Sequence, residues 1–323
     1  MSSFEVRPFR RSDREQLTAL VRGHVDAVVP GVSVSVNRVL SQLEREPGEF
    51  IVDPWVLERR TLVAEQRGAI VAAAHLLRYA ASEAVGESYR NAGELRWYLF
   101  WPARPSDARH WPDATDAEPA LMAACLEQLD AWGVTLQYAD GTLPAPGVYG
   151  VPEQWPHIRA AYERSGFVHD GRTEIVLSAA VAELVGPGDP PLAGLEVRRT
   201  VGINGTRLSA ALGDHAVGYV EVERLEEADR SPRNGGLADI GNLEIEAAYR
   251  RRGVGSWLVR HAAEWLALAG VERVLDYAVP EDEQCLLFLE HLGFRELTRT
   301  ARGWVRAAAL ASSREASAGH SSR

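Results

Sequence analysis

A seven-residue loop, residues 250–256, holds the residues best suited to binding an anion. Its sequence RRRGVGS places three arginines before a Gly-Val-Gly, and an amphipathic run follows. A helix that starts there presents unpaired backbone N–H groups and the positive end of its dipole, which attract anions. Glycines let a ligand approach the backbone, and arginine adds bidentate donors for phosphate oxygens. The loop predicts a diphosphate site, and the alternative is a solvated basic turn. The predicted contacts are Arg250, Arg251, Arg252, Gly253, Val254, Gly255 and Ser256.

Two common phosphate-binding motifs do not fit this loop. A dinucleotide fingerprint needs a third glycine where this chain has Leu258, and it usually follows the first strand of a βαβ unit. A nucleoside-triphosphate loop needs Gly-Lys-Ser/Thr, which is absent. The spacing does fit the pattern Arg/Gln-x-x-Gly-x-Gly/Ala, with Arg250, Gly253 and Gly255 in the fixed places.

This pattern resembles the coenzyme A pyrophosphate loop of the GCN5-related N-acetyltransferases, the GNAT superfamily. The stretch LEIEAAYRRRGVGSWLV is similar to the fourth strand, loop and third helix of that family, and FLEHLGF is similar to the end of its fourth helix. The resemblance covers roughly residues 195–306. It implies transfer of an acetyl group from acetyl-CoA to an amine in a ternary complex, without a metal. It also implies that the backbone of Leu243, Glu244 and Ile245 pairs with the pantetheine arm.

Acetylation of an amine requires removal of a proton, and often an acid for the departing thiolate. The resemblance implies a base on the fourth strand, where Asp239 and Glu244 are the candidates. In an ideal strand, side chains alternate between the two faces of the sheet, and Asp239 and Glu244 would lie on opposite faces. At most one of them then faces the cleft, unless a bulge intervenes. Leu289 replaces the family's usual acid, a tyrosine. Tyr277 is a substitute acid or an ordinary half-buried strand residue, and Cys285 is interpreted as a small buried helix residue.

The elements that must position these residues occur twice. The stretch LEQLDAWGVTLQYAD and, later, AAYERSGF in the first half correspond to AAEWLALAGVERVLDYAV and LFLEHLGF in the second, which indicates a repeat of domain size. We predict a mixed α/β (α+β) fold of two tandem GNAT-like domains, each a mixed, mostly antiparallel central sheet flanked by helices. The predicted bounds are residues 1–182 and 195–310, with a Gly/Pro-rich linker at 183–194 and a disordered tail at 311–323.

The first copy lacks the anion-binding pattern. The segment before its third helix is rich in Pro and Asp and contains no Arg-x-x-Gly-x-Gly, so we expect no acyl-CoA site in that copy. Tyr162 stands where the family acid would be and is interpreted as a packing residue. The first copy has two helices after its first strand, whereas the second has only TVGING. We hypothesise that the first domain supplies part of the acceptor pocket; the alternative is that its loops only fill a lost ligand site.

Composition narrows the class of partner. The formal net charge of −10 argues against a nucleic-acid-binding protein and is compatible with a cationic amine substrate. Two cysteines cannot build a disulfide scaffold, and no apolar run approaches the length of a membrane span. We expect a cytoplasmic monomer or homodimer that binds no metal, nucleic acid or membrane. The predicted function is acetyl-CoA-dependent N-acetylation of the primary amine of a small molecule; a non-catalytic acyl-CoA-binding or regulatory module is the alternative.

Overall fold

Two β-sheets flanked by helices make up the described part of the chain. The computed structural model describes residues 4–32, 34–45, 52–102, 114, 116–145, 147–203, 205–225 and 236–307, so the predicted tail at 311–323 lies outside the described residues. Of the described residues, 195–307 form what is called here the second half, and those up to 184 form the first half.

The first half contains eight strands and five helices. The strands are β1 (Phe4–Pro8), β2 (Val56–Gln66), β3 (Ala69–Tyr79), β4 (Ala92–Phe100), β5 (Leu136–Ala139), β6 (Val151–Pro152), β7 (Val168–His169) and β8 (Thr173–Ala180). The helices are α1 (Arg14–Asp26), α2 (Val36–Glu44), α3 (Ala117–Ala131), α4 (Pro156–Arg164) and α5 (Val181–Leu184).

The second half contains seven strands and two helices among its described residues. The strands are β9 (Leu195–Val201), β10 (Thr206–Leu212), β11 (His215–Arg224), β12 (Gly236–Ile245), β13 (Val271–Ala278), β14 (Arg295–Ala301) and β15 (Trp304–Ala307). The helices are α6 (Val254–Leu268) and α7 (Glu283–Leu292). The side chain of Asp282 caps α7 by accepting from the Cys285 N–H at 3.0 Å, and Gly293 ends the helix at a φ of 104°.

The two sheets have the same mixed topology. The first has the order β1-β2-β3-β4-β5-β15-β7, and the second has the order β6-β14-β8-β13-β12-β11-β10-β9. Among the described strands, only β4–β5 and β12–β13 pair in parallel, and each pair is joined through one helix, α3 or α6. The predicted fold class, two mostly antiparallel sheets flanked by helices, is confirmed.

The halves exchange their last strands, β8 and β15. The first-half strand β8 inserts between β13 and β14, and the second-half strand β15 inserts between β5 and β7. The sheets therefore do not coincide with the predicted domains 1–182 and 195–310, since each contains a strand from beyond the predicted linker. Part of that linker is also helical, because residue 183 lies in α5, which packs against α6.

Two large hydrophobic cores share the second sheet. The first core fills the first half but also includes Leu225, Leu237 and Leu275 from the second sheet. The second core joins α6 and α7 to the opposite side of that sheet and includes Val274 and Ala278 of β13. Successive residues of β13 thus face different cores, as strand geometry requires. The second sheet has a helix face, towards α6 and α7, and a junction face, towards the first half.

The strand exchange predicts that a core mutation in β15 will destabilise the first sheet. Trp304 of β15 is 1 % exposed, and its ring lies 4.9 Å from that of His169 and 5.8 Å from that of Tyr162, both in the first half. We expect Trp304→Ala to lower the free energy of unfolding by about 3–5 kcal/mol. Hydrogen exchange should show lost amide protection in β5, although β5 is far from residue 304 in sequence.

The control for this variant is Leu268→Ala, because Leu268 is 84 % exposed and its removal should change stability by less than about 0.5 kcal/mol. Loss of protection confined to β14, with β5 unchanged, would contradict the exchange.

Acid should destabilise the first half through a buried histidine. The ring nitrogens of His24 lie 2.9 Å from the Leu20 carbonyl oxygen and 3.1 Å from that of Phe100, and burial lowers the pKa of His24 to about 4. The unfolded chain binds this proton near pH 6.5. Stability is therefore full above pH 6.5 and falls as the pH drops towards 4, by up to about 1.4 kcal/mol per pH unit.

Urea unfolding at several pH values between 7 and 4.5 measures this slope. His24→Gln should remove the share of the slope that His24 contributes, up to about 1.4 kcal/mol per pH unit, whereas replacement of the exposed His215 by Gln should leave the slope unchanged. The remaining slope comes from His75 and His157, because burial also lowers their pKa values, to about 3 and about 4. An equal slope in His24→Gln would refute the assignment.

Candidate active site

The arginine–glycine loop connects β12 to α6 through an unusual backbone path. A 3-10 turn at Ala247–Tyr249 follows β12, and α6 then begins after Gly253. Gly253 has a φ of 82°, and Arg251 is also left-handed, with a φ of 61°. Left-handed residues of this kind turn successive backbone N–H groups towards one side, where they form a concave anion site. No side chain caps the start of α6, so its first N–H groups stay available in the described structure.

The loop forms one wall of a cleft of about 740 Å³. The opposite wall is α7, which contributes Cys285, Phe288 and His291. The predicted cofactor-binding residues that line the cleft are Leu243, Glu244, Ile245, Arg250, Arg251, Gly253, Gly255 and Ser256. Two predicted contacts do not line it. Val254 is 1 % exposed and packs in the second core, and the exposed Arg252 lies outside the lining.

Glycine at position 255 leaves space in this cleft, and glycine at position 253 suits the left-handed turn before it. A Cβ on Gly255 would lie 3.5 Å from the Phe288 ring and 3.7 Å from Ile245, so it would fill the gap between these residues. A Cβ on Gly253 would lie 3.3 Å from Pro191, on backbone that already favours glycine. The cleft therefore has room for a ligand that approaches the backbone of the arginine–glycine loop, as a diphosphate would.

Two arginines in the cleft have different roles. The Nε–H of Arg250 donates to the carbonyl oxygen of Ile245 at 2.8 Å, and this bond ties the loop to the end of β12. Arg251 is exposed beside the cleft, where its guanidinium can face an anion. Their charges and the positive end of α6 make this wall suitable for phosphate oxygens.

The cleft lies where two parallel strands separate. Pairing between β12 and β13 runs from Gly236 to Asp239 on β12 and ends at the pair Asp239–Leu275. Beyond that point β12 continues to pair with β11 as far as Ile245. The β13 side of residues 243–245 thus has no strand partner in the described structure, which fits the predicted contact of these residues with an extended arm.

A β-bulge at residue 241 changes which carboxylates share a face. Glu221 pairs with Asn242 but the next residue of β11 pairs with Ile240, so one residue of β12 is skipped. Asp239 then pairs with Glu223, and Glu244 pairs with Tyr219. Because alternate residues of β11 share a face, Asp239 and Glu244 lie on the same face, contrary to the parity of an ideal strand. Both base candidates therefore belong to the junction face.

The carboxylates of the junction face differ in their surroundings. Glu221 is fully buried and accepts hydrogen bonds from Arg207 at 2.7 Å and from Asn242 at 2.8 Å, so it is a structural group. Glu244 is exposed and accepts a hydrogen bond from the Tyr219 hydroxyl, which raises the pKa of that tyrosine. Asp239 is partly exposed and stands at the last paired position before the strands separate.

Tyr277 faces the first half and not α7. Its ring lies 5.7 Å from that of Tyr149, and its enclosed hydroxyl has no hydrogen-bond partner in the part of the chain that the structure describes. Burial, followed by the nearby Tyr149 and Asp239, raises the pKa of Tyr277, so it stays protonated at neutral pH. Leu289, at the position of the missing family acid, is fully buried.

One titratable group of this region has no counterpart in the sequence prediction. Asp276 follows the last β12–β13 pair and receives a hydrogen bond from the Tyr277 N–H at 2.7 Å. Burial raises the pKa of Asp276 to about 7, and the charge of Asp239 adds to the effect. Sequence reasoning missed it because Asp276 belongs to no motif, and β13 also contains the charged residues Glu272 and Arg273, so the sequence does not show which of its charged groups is buried.

Side chains fill the corresponding region of the first half. Tyr162 is fully buried and its hydroxyl donates to the carbonyl oxygen of Asp140 at 2.7 Å. Trp155 is 1 % exposed, and its indole N–H donates to the His24 carbonyl oxygen at 3.0 Å. Tyr162 thus acts in packing, as its sequence context predicted.

Two further classes of site were sought within the described ranges. No group of three or more His, Cys, Asp or Glu residues is placed to hold a metal ion there. No helix in the same ranges combines the length and apolar character needed to cross a membrane.

Comparison with known proteins identifies the family of the second half. Residues 195–294 match the model of the acetyltransferase (GNAT) family. No curated protein sequence matches the chain.

Several solved structures share the fold at low sequence identity. A tandem GNAT protein from the clavulanic acid biosynthesis pathway is 15% identical, with a TM-score of 0.62, and the match covers 95% of this chain and 99% of that one. The GCN5-related N-acetyltransferase from Sphaerobacter thermophilus is 13% identical, with a TM-score of 0.58 and coverages of 94% and 96%.

A third structure is larger than this chain. It contains the GCN5-related glucosamine N-acetyltransferase region of a fungal multi-domain β-N-acetylglucosaminidase and is 15% identical, with a TM-score of 0.61. The match covers 94% of this chain but only 38% of that one. Residues 195–294 thus match the GNAT acetyltransferase family, and the chain as a whole has the fold of tandem GNAT proteins.

Proposed function

We propose that this protein is an N-acetyltransferase that moves the acetyl group of acetyl-CoA to the primary amine of a small molecule, by direct transfer in a ternary complex. One observation carries the proposal: the anion-binding loop and the separation of β12 from β13 open into the same cleft. The loop suits a pyrophosphate, and the unpaired strand edge suits an extended arm with amide groups. Coenzyme A combines both, and its acetyl thioester would supply the group to be transferred.

The donor side is built from the loop and α6. The first N–H groups of α6 and the guanidinium of Arg251 would hold the pyrophosphate, while Arg250 fixes the loop through its bond to Ile245. Gly255 leaves the space that the ligand would occupy beside Phe288.

The acceptor side is the junction face, where first-half residues pack against the second sheet. Arg38 donates to the carbonyl oxygen of Leu225 at 2.9 Å, and Tyr149 contacts Tyr277. Gly147 packs so closely that a Cβ there would lie 2.6 Å from Leu275. These contacts support the predicted role of the first half as a wall of the acceptor site. A site walled by both halves would favour a small-molecule acceptor, and the carboxylates of the face suit a cationic amine.

Asp239 is the better candidate for the proton acceptor. It is partly buried at the point where the strands separate, whereas Glu244 is exposed and bound by Tyr219. A carboxylate there would take the proton that the amine must lose during acetylation.

A second candidate function is acyl-CoA binding without transfer, in a regulatory module. The observation in its favour is Leu289, a fully buried apolar residue in place of a hydroxyl donor. Both candidate functions use the same cleft to bind acetyl-CoA, but only the acetyltransferase would transfer the acetyl group to an amine.

The geometry of the cleft predicts that a carboxylate introduced at position 255 will weaken the binding of acetyl-CoA. In calorimetric titration, the wild-type protein should bind acetyl-CoA at one site, and Gly255→Asp should weaken binding by roughly 100-fold or more, about 2.7 kcal/mol. The aspartate would fill the gap beside Phe288 and repel the pyrophosphate.

Leu268→Asp is the matched control, because it adds the same charge at the other end of α6 on an exposed position. If the wild-type protein fails to bind acetyl-CoA, both candidate functions are wrong. If Gly255→Asp binds acetyl-CoA as the wild-type protein does, the cofactor does not bind at this loop.

The base assignment predicts a difference between two isosteric changes. With an amine found by screening, Asp239→Asn should lower kcat by about 10²–10⁴-fold, whereas Glu244→Gln should lower it by less than about 10-fold. Acetyl-CoA affinity should be retained in Asp239→Asn. The reverse ranking would assign the base to Glu244. Acetyl-CoA binding by a wild-type protein that acetylates no amine would favour the regulatory module.

A further inference from the structure

Asp276 occupies an unusual position for a carboxyl group. It lies on β13 immediately after Leu275, the last residue of that strand to pair with β12. Its neighbours two residues away, Val274 and Ala278, are buried in the second core with α6 and α7. By strand alternation Asp276 shares this helix face, whereas Leu275 and Tyr277 face the first half. Asp276 is thus a carboxyl between two buried apolar residues of this face, just beyond the point where β12 and β13 separate.

Residues on three sides define its surroundings. On β12, the charge of Asp239 raises the pKa of Asp276, so the two carboxyls lie close enough to repel each other. On α7, Asp276 and Asp282 both raise the pKa of Cys285, which lines the cleft. On its own strand, the Tyr277 N–H donates to one carboxyl oxygen of Asp276. Part of the Asp276 surface remains exposed. The carboxyl group therefore stands between the base candidate and the α7 wall.

This position relates Asp276 to the missing acid. Leu289 lies one helical turn after Cys285 on α7, so both residues project from the same side of that helix. Leu289 cannot donate a proton, and Tyr277 projects towards the junction face. Asp276 is close enough to Cys285 to raise the pKa of its thiol, in addition to the effect of burial, and the carboxyl of Asp276 can carry a transferable proton.

We propose that Asp276, in its protonated form, donates the proton that the coenzyme A sulfur needs when it departs. This inference rests on the proposed function. As the bond between the amine nitrogen and the acetyl carbon forms, the carbon–sulfur bond breaks and its electron pair stays on sulfur. Sulfur receives the Asp276 proton and leaves as the thiol. The proton lost by the amine passes to Asp239 and then to solvent, and Asp276 regains its own proton from solvent.

The electrostatics support a protonated Asp276 at the start of the reaction. A free aspartic acid is ionised at neutral pH, but burial and the repulsion from Asp239 bring this pKa to about 7. The hydrogen bond from Tyr277 acts in the opposite direction and is too weak to restore the ordinary value. About half of the molecules at pH 7 then hold the acid form, and this fraction falls as the pH rises.

The test is the pH profile of kcat for the wild-type protein and for Asp276→Asn. The wild-type profile should fall as the pH rises above about 7, because the acid form is lost. In Asp276→Asn, kcat should be lower by about 10²-fold, and this falling limb should disappear, since an amide cannot titrate. Acetyl-CoA affinity, measured by calorimetry, should change less than about 3-fold.

Two controls separate this role from a structural one. Asp214→Asn changes a fully exposed aspartate in the β10–β11 turn and should leave kcat and its pH profile unchanged. At pH 8 the wild-type protein buries an ionised carboxyl that Asp276→Asn lacks, so the variant should have the higher Tm. A lower kcat with a higher Tm would exclude misfolding as the cause.

Each other outcome is decisive. A kcat within 3-fold of the wild-type value, or a reduced kcat that keeps the falling limb, would overturn the role of Asp276 and leave the proposed function intact. A wild-type protein that binds acetyl-CoA but acetylates no amine would overturn the proposed function, and this inference with it.

Discussion

The cleft depends on how two adjacent parallel strands can separate and still satisfy their backbones. Beyond the pair Asp239–Leu275, β12 keeps its hydrogen bonds to β11, and β13 keeps its pairing with β8 as far as Ala278. Each strand therefore has a partner on its outer side while the inner sides diverge. An unpaired strand edge in a protein interior is unfavourable unless some group satisfies it. The separation of these strands thus creates both the space for a ligand and the hydrogen-bonding groups that would bind it.

The chemistry around this cleft is arranged by small departures from regular geometry. The skipped residue in β12 brings Asp239 and Glu244 to one face, and the left-handed Arg251 and Gly253 turn the loop towards the cleft. Each departure is local and affects one or two residues. Bulges and left-handed residues are common beside active sites because they redirect a side chain or an N–H group without disturbing the sheet.

The features that could be predicted from the sequence depend on the spacing of neighbouring residues. The features that were missed depend on pairing between segments that are distant in the sequence. The loop could be predicted because arginine, glycine and a helix start within seven residues determine its chemistry. The repeat correctly indicated two sheets. Strand exchange could not be predicted, since β8 and β15 have the ordinary pattern of strands whichever sheet accepts them. The shared face of Asp239 and Glu244 depends on a bulge that glycine at 241 permits but does not specify. Asp276 was missed because its environment is formed by β12 and α7, which lie on either side of it in the sequence.

The exchange of β8 and β15 also bears on how the chain is made. The first sheet lacks its strand between β5 and β7 until residues 304–307 have been synthesised, nearly at the end of the described chain. During synthesis, the edges of β5 and β7 therefore stay unpaired until β15 is made. Unpaired strand edges are sites where chains pair incorrectly or aggregate. Neither half can mature alone, and a gene encoding only one of them would produce an incomplete sheet.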